Sequence, residues 1–186
     1  MRKVMTDKTT GRRIIEETGF FISRDTVRFI RTIEGQAYPE EMQLMQESET
    51  VGDLSYTYGY GILQLTVVRG EDWYIIYGEN RKHIELSDIA SSPDRDVKTS
   101  RREMHDYLTG VMNVKAHAKK KPIILSAKED TSYKMIQRMV RDKEYEIIDD
   151  IAGTWDYGSA IIMHDLVLRP IMQEDRTKKD NSTGSK

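Results

Sequence analysis

A short polar loop, SSPDRDVKTSRR, carries the cluster of residues in this chain that is the best candidate for binding an anion. They are two hydroxyl and four basic residues: Arg95, Lys98, Thr99, Ser100, Arg101 and Arg102. The loop follows an apolar run typical of a strand and leads into a long amphipathic segment typical of a helix. At such a junction, backbone N–H groups and the positive end of the helix dipole converge. The pattern therefore predicts an anion site, with an ordinary solvated helix start as the alternative.

Acid–base chemistry has its best candidate in Glu85, within the strand-like run HIELSDIA that precedes this loop. Side chains alternate between the two faces of a strand, so His83, Glu85 and Ser87 share one face. Glu85 could accept a proton there, or it could be an ordinary solvated carboxylate. His164 and Asp165 are also adjacent in the sequence, but neighbours along a strand point to opposite faces. We therefore expect no joint chemistry from that second pair.

Several other kinds of chemistry are excluded or disfavoured by the residues present. The chain has no cysteine, which excludes disulfides and thiolate chemistry, and its four histidines lack the spacing of metal ligands. We therefore expect no metal site. The basic run KAHAKKK is either favourable charge at a helix C-terminus or a nucleic-acid patch, and the lack of interleaved aromatic residues favours the first reading.

Hydrophobic periodicity indicates the elements that must position these residues. It predicts two short helices over 24–35 and 39–48, followed by three strand-like runs that form an antiparallel meander. After the loop we expect a long helix, a strand that begins near Pro122, a helix over 132–140 and a closing hairpin. This order predicts an α/β domain with a mixed α+β sheet, of about six strands and four helices.

Two details of these elements can be checked against the structure. The closing hairpin should turn at Gly153 or Gly158. The long helix should run from about Ser100 to about Ala116. Its predicted core residues recur at three- and four-residue spacing. They are Met104, Leu108, Val111 and Met112.

The composition is that of one globular domain. The 186 residues carry a net charge of −2, so no overall field favours nucleic acid or a membrane surface as a partner. No apolar run approaches the roughly 18 residues that span a bilayer, and the N-terminus lacks the apolar segment of a signal peptide. We expect a cytoplasmic protein with one domain over 13–172, between flexible tails over 1–12 and 173–186.

The order of elements resembles that of the GNAT (Gcn5-related N-acetyltransferase) superfamily over roughly residues 20–168. The segments that carry the resemblance are AYPEEM, IELSDIASSPDRDVKTSRREMHDYLTGVM and PIILSAKEDTSYKMIQRMV. The resemblance implies an acyl-CoA-dependent N-acyltransferase that uses acetyl-CoA as the acyl donor and an amine as the acceptor. It also implies that the loop of basic residues binds the pyrophosphate of the coenzyme. Neither the acceptor amine nor the oligomeric state can be read from the sequence.

The chain departs from the family pattern at two positions. The family loop Q/R-x-x-G-x-G/A falls on Arg95–Ser100, where Lys98 replaces the middle glycine. The tyrosine that protonates the leaving thiolate falls on Gln137, while Tyr133 lies one turn earlier. The resemblance then implies Glu85 as the base, acting directly or through a water molecule, and Tyr133 or solvent as the acid. The alternative is a catalytically inactive GNAT-like binding or structural protein, which would resemble compact proteins found in some bacteriophages.

Overall fold

The computed structural model describes residues 1–19, 22–37, 64–93, 95–128, 133–142, 144–156 and 160–172. Within these residues the strands are β1 (Arg2–Thr6), β2 (Arg13–Gly19), β3 (Gln64–Arg69), β4 (Trp73–Glu79), β5 (Ile84–Ser91), β6 (Ile123–Lys128), β7 (Tyr145–Asp156) and β8 (Ala160–Pro170). The helices are α1 (Arg24–Ala37), α2 (Val97–Tyr107), α3 (Asn113–Ala118) and α4 (Lys134–Arg141), with a π-helical turn at Leu108–Met112. The mixed α+β fold is confirmed, with more strands than the sequence predicted.

The described residues form two compact units. Unit 1 comprises Met1–Arg81 and Leu86–Tyr107, and unit 2 comprises Lys82–Glu85 and Leu108–Lys186. The strand order is β1-β2-β3-β4-β5 in unit 1 and β5-β6-β8-β7 in unit 2, because β5 contributes residues to both.

Most strand pairs are antiparallel, and one pair is parallel. Four residues join β4 to β5, which permits only antiparallel pairing, whereas a helical crossover joins β5 to β6. The parallel pair is therefore β5 and β6. In unit 2 the N–H of Ile84 donates to the carbonyl of Pro122 at 3.0 Å, at the start of this pair.

The core of unit 1 lies between α1 and the centre of the sheet. Strand β4 is buried along its length, from Trp73 to Tyr77, as its continuous apolar run predicts. Helix α1 forms because Ile30 and Ile33 recur at helical spacing and pack against the sheet. The predicted helix over 24–35 is confirmed, and the predicted helix over 39–48 lies outside the described residues.

A π-helical turn changes the core face of the long helix. Before the turn Met104 and Tyr107 are buried, within it Leu108 and Met112 are buried, and after it Ala116 is buried. A π turn contains an extra residue relative to an α turn, so the following residues rotate around the axis. Val111, predicted to be core, is only half-buried for this reason.

The structure corrects one other expectation and excludes one of the two alternatives in another. Residues 1–12 are not a tail, because Arg2–Thr6 pair with Arg13–Glu17 as an antiparallel hairpin. Backbone pairing with a buried strand is what orders this charged segment. The chain does not turn at Gly153, which lies within β7, and Gly158 lies outside the described residues, as does the expected tail over 173–186.

Candidate functional site

The loop after β5 begins α2 with an aspartate at the N-cap position. Asp96 precedes the helix, and its carboxylate accepts hydrogen bonds from the N–H of Thr99 at 3.2 Å and from its hydroxyl at 2.6 Å. These hydrogen bonds, first the hydroxyl and then the N–H, lower the pKa of Asp96. The helix start is therefore already capped by an anionic side chain of the protein itself.

The two hydroxyl residues of the predicted anion site are engaged within unit 1. Thr99 donates its hydroxyl to Asp96, and Ser100 is fully buried. The Ser100 hydroxyl lies 2.7 Å from Asp72 Oδ1 and 3.1 Å from the carbonyl of Asp96. The carbonyl of Asp72 also accepts the N–H of Ser92 at 2.8 Å. Asp72 therefore holds the loop at both of its ends.

The four basic residues of the predicted site project from the surface of unit 1. The side chains of Arg95, Lys98, Arg101 and Arg102 are exposed at or near the first turn of α2. No acidic residue lies in that first turn, so these cations oppose the helix dipole. The charge of Arg102 also acts on Asp7. Burial raises the pKa of Asp7, but hydrogen bonds from Thr10 and Thr9, together with the charge of Arg102, lower this pKa overall.

A buried polar network lies beneath the start of α2. Arg12 donates to Glu71 at 2.8 Å, and its guanidinium lies 3.6 Å from Asp72 and 3.8 Å from Glu103. Asp72 and Glu103 are 1% and 0% exposed, so Arg12 is their main compensating charge. Sequence reasoning missed this network, since Gly70-Glu71-Asp72 is typical only of a hairpin turn.

Glu103 connects α2 to two other elements of unit 1. Its carboxylate accepts the hydroxyl of Thr10 at 2.5 Å and the indole N–H of Trp73 at 2.6 Å. The indole lies directly over Gly70, where a Cβ atom would come within 2.2 Å of Trp73 Nε1. A residue with any side chain at position 70 would displace the indole from Glu103.

A pair of carboxyl groups shares a buried tyrosine on the α1 side of unit 1. The Tyr74 hydroxyl lies 2.7 Å from Asp88 and 3.3 Å from Glu34. Burial first, and the charge of Asp88 second, raise the pKa of Glu34. A carboxyl group with a raised pKa can act as a proton acceptor at a pH closer to neutral. Glu34 was not identified from the sequence.

The two predicted catalytic residues belong to unit 2. Glu85 is half-buried near the start of β5, on the face that alternation predicted. Tyr133 directly precedes α4 and donates its hydroxyl to Asp150 at 2.8 Å. The structure therefore brings Tyr133 to an aspartate of β7 that the sequence analysis had not singled out.

Asp150 also contacts a histidine of β8. His164 Nδ1 lies 2.8 Å from Asp150 Oδ1, and the imidazole stacks on the Tyr133 ring with centroids 3.6 Å apart. The hydrogen bond from His164 is the main cause of the lowered pKa of Asp150, and the one from Tyr133 adds to it. Asp165, the sequence neighbour of His164, instead accepts a hydrogen bond from Ser126. The prediction that His164 and Asp165 do not act as a pair agrees with this arrangement.

Two kinds of site are not found in the part of the chain that the structure describes. No group of three or more acidic and histidine side chains is placed to hold a metal ion among these residues. Within the same residues, no helix has the length and apolar character to cross a bilayer.

Comparison with known proteins identifies the fold. No protein-family model matches the chain, and no curated protein matches it in sequence. The ribosomal-protein-S18-alanine N-acetyltransferase from Escherichia coli is similar in structure, with 10% identity, a TM-score of 0.53, and coverage of 85% of this chain and 95% of that chain. A "probable acetyltransferase" from Staphylococcus epidermidis gives 8% identity and a TM-score of 0.51, covering 84% of this chain and 99% of that chain. At these identities the likeness concerns the fold alone, and the chain has a divergent form of the GNAT acetyltransferase fold.

Proposed function

We propose that this protein is an acyl-CoA-dependent N-acyltransferase that uses acetyl-CoA as its acyl donor. The observation that carries the proposal is the group of exposed basic side chains at the start of α2. In this GNAT fold, α2 directly follows β5, which is the first strand of the parallel pair. Its members are Arg95, Lys98, Arg101 and Arg102.

The coenzyme's pyrophosphate is the natural ligand for this basic group. In a glycine-containing loop the backbone amides would approach the phosphates, but here Asp96 already accepts the N–H of Thr99. Exposed guanidinium and ammonium groups are therefore left to provide the charge. Such an exposed, charge-assisted contact should weaken as the salt concentration rises.

The acyl transfer itself would be direct. The acceptor amine attacks the thioester carbonyl carbon, the new C–N bond forms, the C–S bond breaks, and the thiolate leaves. The amine loses one proton, for which Glu85 is the acceptor that the resemblance implies, and Tyr133 supplies a proton to the thiolate. Holding the two substrates in reactive geometry contributes most of the rate, up to roughly 7–11 kcal/mol in favourable cases.

A second candidate function is a GNAT-like protein that binds a partner without catalysis. It is favoured by the engagement of groups that would serve the coenzyme. Asp96 places a negative charge at the helix start, and the Tyr133 hydroxyl donates to Asp150. The charge of Asp96 would repel an anionic ligand at the helix start. The hydrogen bond to Asp150 would have to break before Tyr133 could donate to a thiolate.

Ligand binding distinguishes the two candidates. Thermal unfolding should be measured with acetyl-CoA and, as the control, with acetyl-pantetheine, which carries the thioester but lacks the pyrophosphate. At about 100 times its dissociation constant, acetyl-CoA should add about 2.7 kcal/mol to the free energy of unfolding, and acetyl-pantetheine far less. Release of the coenzyme thiol in the presence of an alanyl peptide, a lysyl peptide or spermidine then tests transfer. No stabilisation by millimolar acetyl-CoA would favour the second candidate.

A further inference from the structure

His164 in unit 2 has the geometry of a histidine base oriented by a carboxylate. Its Nδ1 lies 2.8 Å from Asp150 Oδ1, and the pKa of Asp150 is lowered, so the carboxylate is charged and accepts the hydrogen bond. An imidazole that donates through Nδ1 carries its lone pair on Nε2. Asp150 therefore fixes both the orientation of the ring and the nitrogen that can accept a proton.

The second nitrogen of this imidazole, Nε2, has no hydrogen-bond partner in the part of the chain that the structure describes. Nε2 is buried and has no hydrogen bond to any described residue, and His164 as a whole is 9% exposed. A buried polar atom left in this state costs about 1–3 kcal/mol, so native proteins rarely keep one without a reason. A donor that enters from outside, such as the N–H of an amine, would satisfy it.

Two neighbours connect this imidazole to the proposed chemistry. Tyr133, the residue assigned to protonate the thiolate, stacks on His164 at a centroid distance of 3.6 Å with the rings 6° from parallel. The amine attacks the carbonyl carbon of the thioester, and this carbon is bonded to the sulfur that Tyr133 protonates. Because His164 lies beside Tyr133, it therefore also lies near the attacked carbon. Asp150, whose side chain is 27% exposed, presents a negative charge to solvent, and this charge attracts an ammonium group.

We propose that His164 Nε2 takes the proton of the attacking amine, with Asp150 as its positioning residue. This inference rests on the proposed acyltransferase function and replaces Glu85 as the base. As the C–N bond forms and the C–S bond breaks, the amine proton passes to Nε2. The imidazolium is stabilised by Asp150 and afterwards returns its proton to solvent. Aligned acid–base groups of this kind contribute about 100- to 10,000-fold to a rate.

The test compares His164→Ala, Asp150→Asn and Glu85→Gln with the wild type, using acetyl-CoA and the best of the three probe amines. His164→Ala should lower kcat/KM at least about 100-fold and abolish the ionisation seen on the acidic side of the pH profile. The dissociation constant of the His164→Ala variant for acetyl-CoA should stay within a factor of two of the wild-type value. Added imidazole should partly restore activity, which a purely structural loss would not permit. His117→Ala is the matched control, because that histidine is exposed on α3 in the same unit.

Asp150→Asn keeps the side-chain size and should give a smaller loss with a shifted pH profile, which guards against a His164 variant that folds poorly. The inference is overturned if His164→Ala keeps kcat/KM within about threefold, or if Glu85→Gln, rather than His164→Ala, removes the acidic ionisation. A wild type that neither binds acetyl-CoA nor transfers its acetyl group would instead overturn the proposed function. The binding measurement separates these two failures.

Discussion

The carboxylate of Asp96 accepts both the backbone N–H and the hydroxyl of Thr99, at 3.2 and 2.6 Å, at the site where a coenzyme pyrophosphate is proposed to bind. The cap stabilises α2, but its charge repels a phosphate. Stability and ligand affinity therefore place opposite demands on residue 96.

The first prediction separates these demands. Asn is as good an N-cap as Asp but is neutral, so Asp96→Asn should lower the melting temperature only slightly, through the lost charge at the helix start, and should tighten acetyl-CoA binding severalfold. Asp96→Ala also removes the charge but loses the cap, so it should bind equally tightly and melt at a lower temperature. Calorimetric titration and thermal unfolding measure the two effects. Equal affinity in all three proteins would locate the anion away from this helix start.

The second prediction concerns the exposed basic group. Replacing Lys98 and Arg101 together by Ala should weaken acetyl-CoA binding by roughly 2–4 kcal/mol, because two charge-assisted contacts are lost. Folding should be nearly unchanged, since both side chains are exposed. The matched control, Lys119→Ala with Arg141→Ala, removes the same charges from exposed positions in unit 2. The salt dependence of binding should be shallower in the first double variant and unchanged in the control.

The third prediction concerns the buried network beneath α2. Arg12→Met should lower the free energy of unfolding by about 3–5 kcal/mol, because Asp72 and Glu103 would stay buried without a compensating charge. Arg13→Met, at the exposed neighbour, should change it by less than about 0.5 kcal/mol. Urea denaturation followed by tryptophan fluorescence gives both values.

A compensating variant sharpens this third test. Adding Asp72→Asn and Glu103→Gln to Arg12→Met removes the uncompensated charges and should recover part of the loss. A loss for Arg12→Met as small as that for Arg13→Met would contradict the role of Arg12 as the compensating charge of this network.

The fourth prediction is a pH dependence that arises from Glu34. Its pKa is raised in the folded protein, by burial first and then by Asp88, so folding favours the protonated form. This contribution is fully present below the unfolded value of about 4.3 and is lost as the pH rises through the folded pKa. Glu34→Gln should therefore be more stable than the wild type at pH 7. The advantage should shrink at pH 3.5, and an advantage independent of pH would refute this cause.

Strand positions were largely predictable because their signals are local. The run HIELSDIA and the strand expected near Pro122 begin within one residue of the observed starts of β5 and β6. The parallel pairing of β5 and β6 followed from the helical segment between them. These features depend on composition and short-range periodicity, which a single sequence displays directly.

The polar sites were less predictable because their members meet through long-range pairing. Thr10 and Glu103 are 93 residues apart, and Asp150 and His164 meet only because β7 bends at a bulge after Ile147 and pairs with β8 in one register. A one-residue change of register would turn Asp150 to the other face of the sheet. The π turn is equally invisible, since nothing in LTGVM departs from helical spacing.

Gly70 shows how a purely internal constraint can imitate a functional one. Its missing side chain leaves the space that the indole of Trp73 fills, and the indole in turn holds Glu103 and the start of α2. In a saturation mutagenesis experiment scored by activity, every substitution at this position would be depleted, as at a ligand contact. Measuring protein abundance alongside activity would separate the two, because Gly70 variants would lose both together, whereas variants at the exposed Lys98 would keep their abundance.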